Sequence, residues 1–156
     1  MKDQLEEVLE AVWKAEEGGS SALEQIRRIC PMEIQELHLE ALEQRRLITR
    51  EGENVQLTEQ GRDSAMHVVR RHRLAESLFA TILDLDLDRR ETIACEVEHT
   101  LLPEMEEAIC TLLGHPTLCP DGQPIPPGKC CTTGRKSAPA VIVNLTSLKA
   151  GERGRR

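Results

Sequence analysis

A chain of 156 residues holds one large domain or two small ones, and with Trp13 and Phe79 as its only aromatics it has no platforms for stacking bases as RNA binders do. Its net charge of −7, with 30% of residues charged, excludes a general attraction to phosphate, so any DNA contact needs a local basic patch. The N-terminal MKDQLEEVLEAVWKAEEGG is charged and amphipathic rather than a signal peptide, and no stretch approaches the roughly 20 apolar residues of a membrane-spanning helix. A cytoplasmic protein without a membrane association is expected.

Leu5, Val8, Leu9, Val12 and Trp13 recur at helical spacing, and Gly18-Gly19 ends that first helix. Ser20 or Ser21 is expected to cap a second helix with Leu23, Ile26 and Ile29 inward. Pro31 suits the first turn of a third helix, which carries Ile34, Leu37, Leu39 and Leu42. Leu47–Thr49 and Val55–Leu57 are short β-prone runs around Gly52 and Asn54, the signal of a hairpin. Three helices followed by a hairpin is the order of a winged helix, although periodicity alone fits any small α+β domain. Thr58 then caps a long helix reaching to about Leu83. Two more helices follow, near Arg89–Leu102 and Pro103–Leu113, divided by Pro103. Beyond Gly114, HPTLCPDGQPIPPGKCCTTGRKSAP is rich in Pro, Gly and Cys and predicts an extended segment. AVIVNLTSLKAGERG begins as a strand and turn.

The densest chemistry lies in CEVEH. Cys95, Glu98 and His99 are three and four residues apart, so one helix face converges a thiolate, a carboxylate and an imidazole, a competent half-site for a transition metal. His72 and Glu76 lie four apart on the preceding helix, and Glu7 and Glu10 three apart on the first. Helical bundles build metal sites from such pairs on facing helices. Taken singly, each has a plainer explanation: the glutamates as solvated charges, His72 as part of the basic face VVRRHR, Cys95 as a small buried hydrophobe.

Several stretches resemble the iron-dependent repressor family, typified by the diphtheria toxin repressor: LTEQGRDSA, VVRRHRLAESLFATILDLD, ETIACEVEHTLLPEMEEAI and GHPTLCPDGQPIP. The likeness covers about residues 5–126 and is specific from Leu57 onward. It implies a mainly α fold with a small β wing: a winged helix-turn-helix DNA-binding domain over 1–58 and a helical metal-binding and dimerisation domain over 59–114. A Pro/Gly/Cys-rich linker over 115–140 and an incomplete start of a small β-barrel over 141–156 would follow. By position, the resemblance puts Cys95, Glu98 and His99 on the family's main metal site, with Glu7 at an N-terminal ligand position and Glu10 at a further acidic one. His72 and Glu76 fall on a second site, which Glu91 weakens by standing where iron-sensing members often have His. The thiolate favours Fe(II), Co(II), Ni(II) or Zn(II) and Glu7 favours Mn(II); the resemblance makes Fe(II) the first choice.

The recognition segment departs from that pattern. The turn looks cut short to ICPM, and the third helix carries Glu33, Glu36, Glu40 and Glu43. The DNA-binding candidates are Arg27, Arg28, Gln35, His38, Arg45, Arg46 and Arg50, the arginines flanking the helix as phosphate contacts. Two readings follow: a homodimeric metal-activated regulator on a palindromic double-stranded operator, or a diverged metal-sensing dimer acting through protein contacts. No nucleophile–base pair or small-molecule substrate suggests an enzyme. Of the six cysteines, reduced in the cytoplasm, Cys119, Cys130 and Cys131 crowd the expected linker, with Cys110 and His115 just upstream. They are either unliganded thiols or a second soft-metal or iron–sulfur site.

Overall fold

A computed structural model describes residues 2–83 and 85–132. The sequence signals for the barrel at 141–156 and for the end of the linker at 133–140 lie outside the described residues. Helix α1 (Lys2–Glu17) leads into α2 (Leu23–Ile29), α3 (Glu36–Gln44) and an antiparallel hairpin of β1 (Ile48–Glu51) and β2 (Asn54–Leu57). Then come α4 (Glu59–Thr81), α5 (Leu87–Glu98), α6 (Pro103–Leu112) and the short α7 (Lys129–Thr132). The architecture is mainly α with a β wing: a winged helix followed by a helical half.

The winged half closes around Val8, Val12, Ile26, Leu39, Leu42 and Val55, none of them exposed to solvent. Gly52 opens the wing's two-residue turn at φ 60, where a side chain would be strained, as the hairpin twist demands. The strip before α2 pairs with the wing, Leu23 N–H donating to the Glu53 carbonyl and Val55 N–H to that of Ser21, each at 2.8 Å. Neither serine caps α2. Its N-cap is Ala22, while Ser20 accepts from the Ala22 N–H and Ser21 donates to the Asn54 side chain.

Pro31 does not open α3. Six residues, Cys30–Gln35, separate α2 from α3, so the turn is longer than ICPM implies. The helix begins instead with a local cap in which the Gln35 carbonyl accepts from His38 N–H at 3.0 Å and the Gln35 N–H donates to His38 Nδ1 at 3.2 Å. That cap buries His38.

Thr58 caps α4 as expected, accepting from Gly61 N–H at 3.0 Å and donating to the Arg46 carbonyl at 2.6 Å. A side chain at Gly61 would place its Cβ 1.7 Å from the Leu47 carbonyl oxygen, so only glycine lets α4 start this close to the wing. Further along, α4 packs against α1 on one side and α5 on the other. The sequence suggested an extended linker after Gly114, yet residues 115–132 fold back onto α4 and α6. Cys119, Ile125 and Cys130 pack there with Leu74 and Cys110. Arg73 grips the Pro124 carbonyl and Arg70 that of Pro126. Among the described residues no helix is long and apolar enough to cross a membrane.

Candidate metal centre

Three helices meet at one buried seam. Glu7 and Glu10 reach it from α1, His72 and Glu76 from α4, and Glu91, Cys95 and Glu98 from α5, with His99 as the α5 C-cap. The seam holds three overlapping groups whose donor atoms lie within 4.8 Å of one another: Glu7, Glu98 and His99; Glu10, His72 and Glu98; His72, Glu76 and Glu91. Glu98 belongs to two of them and is wholly buried.

Its Oε2 lies 2.5 Å from His72 Nδ1, and its Oε1 lies 3.5 Å from His99 Nε2. His99 Nε2 meets Glu7 Oε1 at 2.8 Å, while His72 Nε2 faces Glu91 at 3.5 Å and Glu76 at 3.8 Å. The thiol of Cys95 donates to Glu7 Oε1 at 3.1 Å. It thus borders the first group rather than joining it, and the tight donor sets are carboxylate and imidazole.

Burial and neighbouring charge act on this cluster in opposite directions. Burial would lower His72, but hydrogen bonds to Glu91 and Glu98 and the charge of Glu10 hold it at about 10. The hydrogen bond from His72 holds Glu91 down to about 2. Burial pushes Glu98 up to about 7, with His72 opposing, and burial likewise raises Glu76. Burial and then the Glu7 carboxylate push the Cys95 thiol well above its ordinary value. Burial lowers His99, but Glu6 and Glu7 together raise it.

Glu7 Oε2 and Glu98 Oε1 are buried with no hydrogen-bond partner among the described residues. Glu10 Oε1 also lacks one of good geometry, although the Lys14 ammonium stands 3.1 Å away. Carboxylate oxygens buried beside neutralisable imidazoles are what a divalent cation would satisfy, and the residues fit such an ion.

Glu6 was not evident from sequence. Its carboxylate meets His99 Nδ1 at 3.0 Å and Arg71 at 3.2 Å, so it orients the imidazole from behind. Its spacing of four from Glu10 was the available signal.

The DNA-binding candidates divide. Arg27, Arg28, Arg45 and Arg46 are exposed, as is Gln35. Arg28 pairs with Glu24, and Arg50 pairs with Glu36 and, at 3.5 Å, with Glu43, so the wing arginine offsets two glutamates of α3. His38, buried in the α3 cap, is withdrawn as a base contact. The arginines of VVRRHR face inward: Arg71 to Glu6, Arg73 to Glu17 and Arg70 to Glu106.

The cysteines also regroup. Cys119 packs in the core with Leu74 and is not part of the thiol cluster; Cys130 and Cys131 lie instead with Cys110 and His115.

A winged helix whose first helix carries carboxylates into a buried carboxylate–imidazole cluster defines a class, winged-helix proteins with a helical metal-binding domain. Residues 58–127 match the family model of the iron dependent repressor, metal binding and dimerisation domain. The iron-dependent repressor IdeR of Mycobacterium tuberculosis is 36% identical over 100 residues, 63% of this chain and 44% of that protein. The diphtheria toxin repressor of Corynebacterium diphtheriae is 38% identical over 73 residues, 47% of this chain and 32% of that protein. A solved manganese-dependent transcriptional repressor in complex with manganese is 26% identical, with a TM-score of 0.70 over 80% of this chain and 59% of that one. The chain is thus similar to iron-dependent repressors, most of all over residues 58–127, and it spans less than half the length of those two curated relatives.

Proposed function

We propose that the chain is a metal-dependent transcriptional regulator of the cytoplasm, a homodimer whose binding to double-stranded DNA is promoted by a divalent transition metal. We also propose the division into a winged half to residue 58 and a metal-binding half to residue 114. One observation carries the reading: α1 is both a core helix of the winged half and the carrier of Glu7 and Glu10. When bound, a divalent cation supplies the positive charge that lets Glu7, Glu10 and Glu98 share one buried space as carboxylates. Glu7 with Glu98 and His99, and Glu10 with His72 and Glu98, would hold the ion, and α1 would thereby be fixed against α4 and α5. His72, Glu76 and Glu91 form an adjoining donor set. The carboxylate–imidazole donors suit Fe(II), our choice for the cell, and admit Mn(II); Co(II), Ni(II) and Zn(II) are competent substitutes.

Dimerisation through the helical half is supported by Leu102, Met105 and Leu112, which are 60%, 51% and 41% exposed and lie along one stripe of α6. Phe79 and Leu101 are buried within the chain and lie outside that surface. Two winged halves related by a two-fold axis suit a palindromic operator.

The test is fluorescence anisotropy with duplex DNA from the chain's own promoter region. Saturating Fe(II), under anaerobic conditions, or Co(II) is expected to promote binding that weakens with salt. Arg45→Ala with Arg46→Ala should reduce the log–log salt slope by about 0.9 for each phosphate no longer neutralised. Absence of binding at low salt with saturating metal would overturn the DNA-binding reading in favour of a metal-sensing dimer that acts on proteins.

A further inference from the structure

A second cluster of metal-type donors lies away from the carboxylate seam. Cys110 lies in the last turn of α6, His115 follows the turn at Gly114, and Cys130 and Cys131 sit on α7; their donor atoms all lie within 4.8 Å of one another. We propose that Cys110, His115, Cys130 and Cys131 form a structural site for one tetrahedral soft-metal ion, Zn(II) first. The site would clamp residues 115–132 onto α4 and α6.

The spacings fit one ion. A tetrahedral zinc with bonds of about 2.3 Å to sulfur and about 2.0 Å to nitrogen sets ligand separations of about 3.8 Å between sulfurs and about 3.5 Å between sulfur and nitrogen. Here Cys110 and Cys131 Sγ are 3.7 Å apart, Cys130 and Cys131 Sγ 3.9 Å, and Cys110 Sγ and His115 Nδ1 3.4 Å. The sulfurs are far beyond disulfide bonding at about 2.05 Å. An iron–sulfur cluster distributes its cysteines over several irons, whereas these donors surround a single point.

The surroundings are built for thiolates. Three thiolates and a neutral imidazole around a dication leave one negative charge. The buried Arg70 guanidinium donates to Cys130 Sγ at 3.3 Å. A Cβ on Gly128 would fall 2.7 Å from that guanidinium, so the glycine lets α7 approach it. His115 holds a left-handed φ of 58, which side chains rarely adopt, and its N–H donates to the Cys110 carbonyl at 2.8 Å. Cys110 and Cys130 are buried and Cys131 is exposed, which gives the test its handle.

Cobalt titration of the Cys95→Ala protein removes the thiol beside Glu7 from the readout. Strong thiolate-to-cobalt charge-transfer absorption with tetrahedral visible bands is expected. Both should vanish on adding Cys130→Ser with Cys131→Ser and persist on adding Cys119→Ser. On the wild-type chain, Zn(II) should slow alkylation of exposed Cys131 by about tenfold or more relative to chelator-treated protein, which needs no variant to fold. Loss of all thiolate absorption with Cys95→Ala alone, or alkylation of Cys131 at an unchanged rate with Zn(II), would overturn the site.

Discussion

Glu98→Gln lowers affinity for Co(II) or Mn(II) at the helical seam by more than about 100-fold, while the metal-free protein keeps its fold. The expected loss exceeds the roughly 10–100-fold typical of removing an outer hydrogen-bonding partner, because Glu98 offers oxygens to two donor groups at once. The amide keeps the shape and can still accept from His72 Nδ1, which lies 2.5 Å from the carboxylate. Burial already pushes the Glu98 carboxyl up to about 7, so its ionised form is the destabilised one and a neutral side chain is no harder to bury. The metal-free thermal midpoint should therefore hold or rise, and added metal should no longer raise it. Calorimetric titration with thermal melts checks both. Wild-type affinity in the variant would remove Glu98 from the site.

Glu106→Leu should destabilise the chelator-treated protein by about 3–5 kcal/mol, the usual cost of stranding one member of a buried ion pair. Arg70 is 1% exposed, and its Nε meets Glu106 Oε1 at 2.6 Å. Without that carboxylate the guanidinium keeps the Pro126 carbonyl and the Cys130 sulfur, neither a full countercharge. At about 2–4 °C per kcal/mol for a chain of this size, the midpoint should fall by roughly 6–20 °C. Replacing both partners, Arg70→Met with Glu106→Leu, should recover part of the loss, because no charge is then left stranded. Equal midpoints for wild type and Glu106→Leu would show that the pair contributes nothing.

The elements that local rules describe were legible in the sequence. Thr58 announces α4 because a hydroxyl at that position caps the helix, and Gly52 announces the wing because its turn needs a positive φ. The convergence of the donor side chains on α4 and α5 was legible because spacings of three and four share a helix face. Long-range order was not. Pro and Gly in residues 115–132 suggest a loose linker, but Arg70 and Arg73 hold the segment through carbonyls more than 50 residues away in sequence. Pro31 was a plausible helix opener, yet the Gln35–His38 cap starts α3 later and turns His38 inward, a pairing outside the usual Ser, Thr, Asp or Asn signal. Crowding in sequence suggested Cys119 as a partner of Cys130 and Cys131; the turn at Gly114 returns His115 to Cys110 and builds the quartet from those two instead.

In the proposed function, Glu7 and Glu10 couple the metal centre to DNA through α1. Metal affinity measured with and without duplex operator tests it most directly, because coupling free energies are reciprocal. DNA is expected to tighten metal binding by the same factor by which metal tightens DNA binding, and Glu7→Gln with Glu10→Gln to bring both factors towards one. Metal affinity that is identical with and without bound DNA in the wild type would contradict it.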